Sequence, residues 1–298
     1  MKITLEPGRY IVAVSGGVDS VVLLHILAKL RAARPDDYRF TVAHFDHGIR
    51  PDSADDQQFV RELARQHNLP YVYNRVRLGA GASEAAARQA RYDFLHAARR
   101  AAAAQAILTA HHQDDVLETA VLNIVRGTGR RGLSSLKSTD SIKRPLLHLP
   151  KKAIVKYARD NQFLWREDST NASDKYKRNY VRHNVLPRFD ALSRAKLHTI
   201  VRDMHDKNAE IDTLLGELLS LYVNKAGHLN RTKFLVLPHA VAREVMAAWL
   251  RQQGVQGLDS KLLERLVHAA KTFAVGRQIH VNRNRVLMVK KTYLALLR

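Results

Sequence analysis

A short run near the start of the chain has the residue types that bind anions in a strand-to-helix turn: Ser15, Gly16, Gly17, Val18, Asp19 and Ser20. Adjacent glycines let the backbone turn tightly and approach a ligand closely. The free N–H groups and the dipole at the start of a following helix attract phosphate. Because Asp19 would repel phosphate, the pattern indicates a divalent cation between the carboxylate and the ligand. A plain turn with a capping serine is the alternative.

A second candidate group lies in the segment AHHQDDVLET at 110–119. His111 and Asp115 are four residues apart, and Asp115 and Glu118 are three apart, so on a helix all three would share one face. Acidic side chains buried beside a histidine are costly unless they hold a cation or transfer a proton. The segment therefore indicates a catalytic or metal-binding cluster, and a helix-capping cluster is the alternative.

A third candidate is the segment around His44 and Asp46, which continues with His47, Ser53 and Asp56. It ends a predicted strand, and open α/β sheets bind ligands beyond the carboxyl ends of their strands. Two imidazoles and a carboxylate could form a transition-metal site. We favour the simpler interpretation, in which His44 and Asp46 hydrogen-bond a nucleotide or brace the first loop.

A glycine pattern at 127–132 matches Gly-x-Gly-x-x-Gly, which is typical of dinucleotide-binding proteins. That pattern supports dinucleotide binding only where it follows a strand and opens a helix. Here it follows a predicted helix, so we reject a dinucleotide site. The sequence also has no G-x-x-x-x-G-K-[S/T] motif, which excludes a Walker-type ATPase.

Strands and helices alternate through the first half of the chain. Short apolar runs predict strands at 10–14, 39–45, 70–77 and 106–109. The segments between and after them predict helices at 20–33, 53–67, 83–104 and 113–126. This alternation predicts βαβ units with right-handed crossovers. We therefore expect an α/β fold with a doubly wound, mainly parallel, Rossmann-like sheet whose carboxyl edge gathers the three candidate segments.

The alternation stops after residue 150. A helix is predicted at 151–160, and a polar, turn-rich segment follows at 164–178. The remaining predictions are helices at 192–222, 238–252 and 259–271 and strands at 276–281 and 284–290. They indicate a second, smaller, mainly helical α+β domain. We place the boundary near Pro187, which divides the chain into domains at 1–190 and 191–298 with the long helix as connector.

Charge and composition restrict the function further. The chain has 298 residues and a formal net charge of +21, which favours a nucleic-acid partner. Residues 1–150 carry a net +6 and residues 151–298 a net +15, so the polyanion surface should lie mainly in the second half. The absence of cysteine excludes disulfides, thiolate zinc sites and iron–sulfur clusters. No signal peptide or membrane-length apolar run is present, so we expect a cytoplasmic protein that does not contact a membrane.

Together these segments resemble the tRNA(Ile)-lysidine synthase family of the PP-loop, or N-type ATP pyrophosphatase, superfamily. The resemblance covers about residues 10–190 through SGGVDS, HFDHGIRPDSADD, AARQARY, HHQDDVLET with RGTGRRGL, RPLL, WREDSTN and KRNYVRHNVLP. The last two are the most specific, because sulfurtransferase relatives do not usually pair them with the others. Residues 190–298 match the family only in placement and general character, and the further C-terminal domain of longer members is expected to be missing.

The resemblance implies a reaction in two steps. ATP adenylates the C2 oxygen of the wobble cytidine in tRNA(Ile) with a CAU anticodon, and pyrophosphate is released. The ε-amine of L-lysine then attacks C2 and expels AMP, which gives lysidine. A lysine amine has an ordinary pKa of about 10.4, so it must lose a proton before it attacks.

The resemblance also assigns roles to residues of this sequence. Residues 15–20, with His44 and Asp46, would bind ATP, and Asp19 and Asp115 would hold Mg²⁺. The expected catalytic residues, which include those that place and deprotonate the lysine, are Asp19, Arg91, His111, Asp115 and Glu118. The expected tRNA contacts are Arg126, Arg178, Arg182, Lys290 and Lys291. Some family members form homodimers, and the resemblance allows one here.

Three other functions compete with this hypothesis. A tRNA sulfurtransferase of the same superfamily would share the loop and the basic surface, but such enzymes generally need cysteines. A small-molecule amide ligase would explain the loop but not the charge of +21. A non-catalytic RNA-binding module is disfavoured by the intact SGGVDS and HHQDD segments.

The uneven charge leads to a prediction about tRNA binding. Residues 1–190 alone should keep the ATP site but bind tRNA poorly. Each neutralised phosphate releases counterions, so the affinity of the full chain should fall more steeply with salt than that of the fragment. Neutralising Lys290 and Lys291 should weaken binding to many tRNAs alike, because phosphate contacts position rather than specify. Filter-binding salt titrations measure both effects, and equal slopes would mean that the C-terminal charge does not meet the tRNA.

Overall fold

The computed structural model describes residues 1–48, 53–76, 84–134, 136–166 and 177–297. The chain divides into two compact units, one formed by 1–122 with 135–198 and the other by 123–134 with 199–298. The predicted single boundary near 190 therefore differs from the observed division in two ways. The first unit continues into the long helix, and the segment at 123–134 belongs with the second unit. The function of each unit stays a prediction.

The first unit is built on a five-stranded sheet in the order β3-β2-β1-β4-β5, with every neighbouring pair parallel. Its strands are β1 (Gly8–Ala13), β2 (Tyr38–Asp46), β3 (Tyr71–Arg75), β4 (Ala106–Leu108) and β5 (Ile142–Lys143). The helices between them are α1 (Val18–Ala33), α2 (Ser53–Gln66), α3 (Glu84–Ala101) and α4 (Gln113–Val125), and α6 (Lys151–Asp160) follows β5. The predicted α/β class and parallel sheet are confirmed. The two-residue strand β5 was not predicted, because its two residues have no apolar pattern.

Alternate residues of β1 face opposite sides of the sheet, as its extended backbone requires. Tyr10 and Val12 belong to a core formed with α1, α2 and α6. Ile11 belongs to a separate core with Leu95 of α3. Helices therefore cover both faces, and this burial explains why β1 is apolar from Tyr10 to Ala13.

The strand order places a topological switch point between β1 and β4. The chain passes outward from β1 to β2 and β3, and α3 then returns it to the other side of β1. Val12 of β1 lies beside Leu108 of β4 in the ladder. The segments that leave these two strands therefore start side by side at the carboxyl edge, where open α/β sheets bind their ligands.

The remaining elements of the first unit lie after α6. They are α7 (Lys177–Tyr180), a single π turn (Val181–Val185), a 3₁₀ turn (Leu186–Arg188) and the first residues of α8 (Ala191–Tyr222). Val181 and Leu186 pack against Leu117 of α4 in a small apolar cluster. This packing holds the segment 177–188 against the helix that carries Asp115 and Glu118. Most of the turn-rich stretch predicted at 164–178 lies outside the described residues.

The second unit combines helices with a four-stranded antiparallel sheet in the order β6-β9-β8-β7. Its helices besides α8 are α5 (Arg130–Leu133), α9 (Arg231–Leu235), α10 (His239–Gln252) and α11 (Ser260–Thr272). Its strands are β6 (Leu229–Asn230), β7 (Gln278–Asn282), β8 (Arg285–Val289) and β9 (Tyr293–Leu297). Trp249 and Phe234 are fully buried in its core. The predicted α+β character is confirmed, but β6 and β9 were not predicted.

A histidine pair in the first unit predicts acid sensitivity. The His25 ring stacks on Phe163 at 3.7 Å between centroids, and His25 Nδ1 lies 3.0 Å from Nε2 of His67. Burial, with smaller effects of His67 and Lys29, lowers the pKa of His25 to about 4. The unfolded imidazole has a pKa of about 6.5, so between these values the unfolded chain binds more protons. Stability should therefore fall as the pH is lowered from about 6.5 towards 4.

This sensitivity is tested by melting temperatures between pH 7 and pH 5. His25→Gln removes the titrating ring, so the melting temperature should depend less on pH than in the unchanged chain. His280→Gln, at an exposed position of β7, is the matched control. An equal pH dependence for His25→Gln and the unchanged chain would show that this pair does not cause the acid sensitivity.

Candidate active site

The loop between β1 and α1 is closed by its own polar groups. Gly16 has φ +96°, a left-handed conformation that favours glycine, whereas Gly17 is extended and precedes α1. The Ser15 N–H donates to Ser20 Oγ at 3.2 Å, and Ser20 Oγ–H donates to the Gly17 carbonyl at 2.9 Å. The Gly17 N–H points to Ser15 Oγ at 3.4 Å. The loop thus surrounds the start of α1 with N–H groups and hydroxyls, as an anion site needs.

Side chains or backbone groups of two further segments hydrogen-bond to backbone carbonyls in and next to this loop. His44 Nδ1 lies 2.8 Å from the Val14 carbonyl and must donate to it. Asp46 is buried and accepts from the Gly48 N–H at 2.7 Å, with Arg75 Nε at 3.2 Å. The Arg166 N–H donates to the Gly16 carbonyl at 3.0 Å. For His44 this geometry supports the bracing role, through its contact with the Val14 carbonyl. Asp46 contacts Gly48, Tyr73 and Arg75.

Asp19 is held by a lysine that the sequence analysis did not identify. Both Asp19 carboxylate oxygens accept from Lys151 Nζ, at 2.6 and 2.7 Å. Lys151 is the first residue of α6, and its N–H points to Asp114 Oδ1 at 3.2 Å. The pair joins residues 132 positions apart, so no local pattern could have shown it.

His112, rather than His111, links the first loop to the acidic cluster. His112 Nε2 lies 3.4 Å from Asp115 Oδ2 and 3.7 Å from Asp19 Oδ2. The His112 N–H also donates to Asp115 Oδ2 at 2.9 Å, which caps the start of α4. Both carboxylates therefore lie within 4 Å of one imidazole nitrogen. The only sequence signal for this role was the spacing of three residues between His112 and Asp115.

The expectation that His111 shares a helical face with Asp115 is wrong, because α4 begins at Gln113. His111 lies in the preceding loop, with Nδ1 at 2.8 Å from Thr109 Oγ1. Burial lowers the pKa of His111 to about 3, although Asp115 opposes this effect. His111 is therefore a neutral imidazole at neutral pH and a weak proton acceptor in this structure.

Glu118 is almost completely buried, at 1% exposure, and is paired with two arginines. Arg178 Nε donates to one carboxylate oxygen at 2.8 Å, and Arg182 Nε donates to the other at 2.6 Å. Arg178 also reaches Asp115 Oδ1 at 2.9 Å. Burial alone would raise the pKa of Asp115, but His112 and Arg178 hold it below the ordinary value. Asp115 is therefore ionised at neutral pH, and the two arginines predicted to contact tRNA are engaged with Asp115 and Glu118.

Two further arginines border this group without a carboxylate partner among the described residues. Arg144 is 9% exposed and donates to the Lys137 carbonyl. Arg91 lies over the Tyr92 ring at 5.4 Å from its centroid. Burial lowers the pKa of both guanidinium groups. Arg144 is buried and Arg91 is half-buried. Because removing a cation from water is costly unless it is paired, these two groups suit an anionic ligand.

The other residues predicted to contact tRNA belong to the second unit. Arg126 and Lys291 are exposed, and Lys290 is half-buried. Arg126 follows α4, and the two lysines connect β8 to β9. The predicted tRNA contacts therefore form two groups. Arg178 and Arg182 belong to the first unit and pair with its acids, whereas the other three cations belong to the second unit.

The fold and the site first define a class of protein. A parallel sheet in the order 3-2-1-4-5, with a Ser-Gly-Gly turn at its switch point, is the architecture of a doubly wound α/β protein with an anion site at a helix start. A family model described as the PP-loop domain matches residues 2–189. The chain therefore belongs to the PP-loop domain family.

Curated relatives agree with this family. The chain is 36% identical over 274 residues to a tRNA(Ile)-lysidine synthase of Solibacter usitatus, a match covering 88% of this chain and 61% of the relative. It is 38% identical over 191 residues to a tRNA(Ile)-lysidine synthase of Thermotoga maritima, covering 61% of this chain and 46% of the relative. The chain thus spans about half to three-fifths of the length of these relatives.

A solved structure supports the fold alone. The U34-tRNA thiolase NcsA from Methanococcus maripaludis, with its [4Fe-4S] cluster, superposes with a TM-score of 0.56 at 14% sequence identity. The superposition covers 68% of this chain and 73% of the thiolase.

None of the helices within the described ranges is both long and apolar enough to cross a membrane.

The loop geometry generates a prediction for Gly17. A Cβ at this position would meet only Ser15 Oγ at 3.6 Å, an ordinary contact, and its φ of −71° suits any residue. Gly17→Val should therefore lower the melting temperature by only a few degrees, as expected for a poorer helix cap. A branched side chain where phosphate must approach should nevertheless abolish ATP-dependent pyrophosphate release. Normal pyrophosphate release from the folded variant would contradict a phosphate site here.

Gly16 provides the matched comparison. Its φ of +96° is strained for any residue with a side chain. Gly16→Val should therefore lose both pyrophosphate release and thermal stability. The two neighbouring glycines should thus separate a ligand effect from a folding effect when melting and pyrophosphate release are measured on the same samples.

Proposed function

We propose that this chain acts as a tRNA(Ile)-lysidine synthase. It would use ATP to adenylate the wobble cytidine of tRNA(Ile) with a CAU anticodon, and then join L-lysine to C2 of that base. The observation that carries this proposal is the juxtaposition at one switch point of the Ser-Gly-Gly loop with the buried acids Asp115 and Glu118. The names of the curated relatives support it.

The loop and the start of α1 would hold the triphosphate. The Ser15 hydroxyl and the N–H groups in the first turn of α1 would supply donors, and the α1 dipole favours negative charge. Magnesium prefers oxygen donors and is usually held by one or two carboxylates together with substrate phosphates. Asp19 and Asp115 fit this requirement, because both lie within 4 Å of His112 Nε2. The cation would neutralise phosphate oxygens while pyrophosphate leaves.

The lysine substrate has groups that suit the remaining side chains. Its α-carboxylate would pair with the buried Arg144 and the half-buried Arg91, two cations without a carboxylate partner among the described residues. Its ε-amine would then extend towards Asp115 and Glu118. These acids would place the nitrogen by hydrogen bonding, as the sequence analysis expected.

The surroundings of the amine favour loss of its proton. Three carboxylates of the site face five cationic side chains: Asp19, Asp115 and Glu118 against Arg91, Arg144, Lys151, Arg178 and Arg182. An excess of positive charge and burial both lower the pKa of an amine. Asp115 and His111 are weak bases here, since their pKa values are lowered. We therefore infer that the electrostatic environment lowers the pKa of the amine, that the proton passes to solvent water before attack, and that His111 acts by hydrogen bonding.

The tRNA would be held mainly through its phosphates. The net charge of +15 in residues 151–298 supplies the attraction. Arg126, Lys290 and Lys291 of the second unit would contact the backbone. Arg178 and Arg182 would act closer to the reacting nucleotide while each keeps its ion pair with Glu118.

A tRNA sulfurtransferase has less support. The solved thiolase with a similar fold carries a [4Fe-4S] cluster, whereas this chain has no cysteine to bind one. The sulfur relay by cysteine persulfide is excluded for the same reason.

The proposed function is tested by incorporation of radiolabelled lysine into transcribed tRNA. Label should enter tRNA(Ile) with a CAU anticodon in an ATP-dependent reaction, and methionine tRNAs with the same anticodon should stay unlabelled. Asp115→Asn keeps the shape of the side chain but removes its charge. It should lower the rate by about 100-fold or more, as expected for a group that holds the reacting centre, with tRNA affinity nearly unchanged.

Two outcomes would contradict this assignment. Lysine incorporation that is equal across tRNA species, or absent while ATP is still cleaved to pyrophosphate, would exclude lysidine synthesis on this tRNA. A loss of tRNA affinity in Asp115→Asn without a change in turnover per bound complex would show that Asp115 has another role.

A further inference from the structure

Helix α6 has a basic face that points away from the core of the first unit. On the opposite face, Ile154 and Ala158 are fully buried in the core that also contains α1. Lys152, Lys156 and Arg159 are exposed. Their spacing of four and three residues places the three cations on one side of the helix, over a length of about 10 Å. This basic face of α6 therefore presents a row of positive charge to solvent.

A groove with a volume of about 500 Å³ lies beside this face, between α6 and the start of α4. Two hydrogen bonds fix the position of one helix start against the other. The Lys151 N–H points to Asp114 Oδ1 at 3.2 Å, and the Gln113 N–H donates to the Leu149 carbonyl at 2.9 Å. Asp114 lines the groove and directly precedes Asp115 in the chain. The groove therefore begins at the carboxyl edge of the sheet, next to the proposed reacting centre.

The side chains that line the groove carry an excess of positive charge. Four cations stand against two carboxylates: Lys151, Lys152, Lys156 and Arg159 against Asp114 and Asp160. Lys151 is engaged with Asp19, and Lys156 forms an exposed pair with Asp160 at 2.7 Å. Such an exposed pair contributes little free energy, so a stronger anion can replace it. Lys152 and Arg159 form no ion pair within the ranges that the structure describes.

Helix stability does not account for this arrangement of charge. Lys152 lies in the first turn of α6, where a positive charge opposes the helix dipole. That turn contains no acidic residue, and Pro150 precedes it without a side-chain hydrogen bond. Like charges three and four residues apart also repel one another along the helix. The row of cations is therefore unfavourable for the isolated helix and becomes favourable when a polyanion lies against it.

We propose that the basic face of α6, formed by Lys152, Lys156 and Arg159, binds phosphates of the tRNA anticodon arm. This arm has to bring its wobble base to the carboxyl edge of the sheet, where the groove begins. A face about 10 Å long accommodates about three successive phosphates of one strand. Lys151 is not part of this surface, because it is engaged with Asp19. The inference rests on the proposed function, which supplies the tRNA.

Filter binding of the full chain to transcribed tRNA(Ile) over a range of KCl concentrations tests this surface. Lys152→Gln combined with Arg159→Gln should weaken tRNA binding about 10-fold and reduce the salt slope by about 1 for each residue. Turnover at saturating tRNA should change less than about twofold, because phosphate contacts position the tRNA without entering the reaction. ATP affinity and melting temperature should match those of the unchanged chain. Unchanged tRNA affinity and salt slope would overturn the proposal.

Arg9→Gln combined with Arg100→Gln is the matched control. Both arginines are exposed, and they lie near the start of β1 and the end of α3, at the opposite edge of the sheet. Their removal takes away the same charge, but tRNA affinity should stay within about twofold because distant exposed charges are screened by salt. Equal weakening and an equal loss of slope in both doubles would show that only the overall charge attracts tRNA, and would overturn the proposal.

A charge-preserving exchange tests the nature of the contact. Lys152→Arg combined with Arg159→Lys keeps both positive charges on the face and should bind tRNA as the unchanged chain does. A 10-fold loss in this variant would show that the side chains act through packing rather than through phosphate contacts, and would contradict the proposal.

The isolated anticodon stem-loop of the same tRNA tests which arm lies in the groove. Lys152→Gln with Arg159→Gln should weaken binding of the stem-loop by the same factor as binding of the whole tRNA, because the contacted phosphates belong to this arm. Weaker binding of the whole tRNA with unchanged binding of the stem-loop would place the contact on another arm and overturn the proposal.

The unchanged chain separates this inference from the proposed function. If it neither binds tRNA(Ile) nor incorporates lysine, the proposed function itself is wrong. If it does both, and Lys152→Gln with Arg159→Gln binds tRNA equally well, only the role of the basic face of α6 is wrong.

Discussion

Glu118 is a carboxylate at 1% exposure, and a buried charge of this kind is tolerated only when it is paired and hydrogen-bonded. Arg178 and Arg182 meet that requirement with Nε donors at 2.8 and 2.6 Å. The pairing connects α4 to the segment 177–185, which forms α7 and the π turn. Packing of Val181 and Leu186 against Leu117 excludes water from the same junction. The acids of α4 therefore hold a fixed position at the carboxyl edge of β4.

The order of the sheet then determines what these acids can meet. β4 lies beside β1, so α4 starts next to the loop at 15–20. His112 makes the connection between them, because its Nε2 lies within 4 Å of both Asp19 and Asp115. Lys151 and the arginines offset the negative charge of the carboxylates. The result is a site in which carboxylates alternate with cationic side chains, as the proposed function requires.

The glycine pattern at 127–132 has a structural explanation in the second unit. Gly127, at φ +66°, ends α4 by a left-handed turn. Arg130 then donates to three groups of that unit, on Asn208, Asp212 and Glu244. The pattern resembles a nucleotide-binding motif, but Gly127 ends a helix and Arg130 holds the segment that follows through its hydrogen bonds.

The sequence by itself determined the features that depend on local physics. The alternation of strands and helices, the Ser-Gly-Gly turn and the long helix α8 follow from hydrophobic period, backbone freedom and helix propensity, and the structure has them within a few residues. The strands β5, β6 and β9 were not predicted from the sequence, because β5 and β6 have two residues each and β9 is a short apolar run without alternation. Residue types, spacing and motif resemblance selected Asp19, Asp115 and Glu118 as candidates, but gave no sign of the ion pairs that these residues make.

Only the tertiary structure decided those partners. Lys151 pairs with Asp19 across 132 residues, and Arg178 and Arg182 pair with Glu118 across 60 and 64. His112 replaced His111 as the link between the two carboxylates, because α4 begins only at Gln113 and the helical spacing does not extend back to His111. Ion pairs form between side chains that the fold brings within about 4 Å, and sequence separation carries no information about that distance. The residue types of the site could therefore be predicted from the sequence. The charge balance of the site could not, because it depends on how the sheet and the helices assemble.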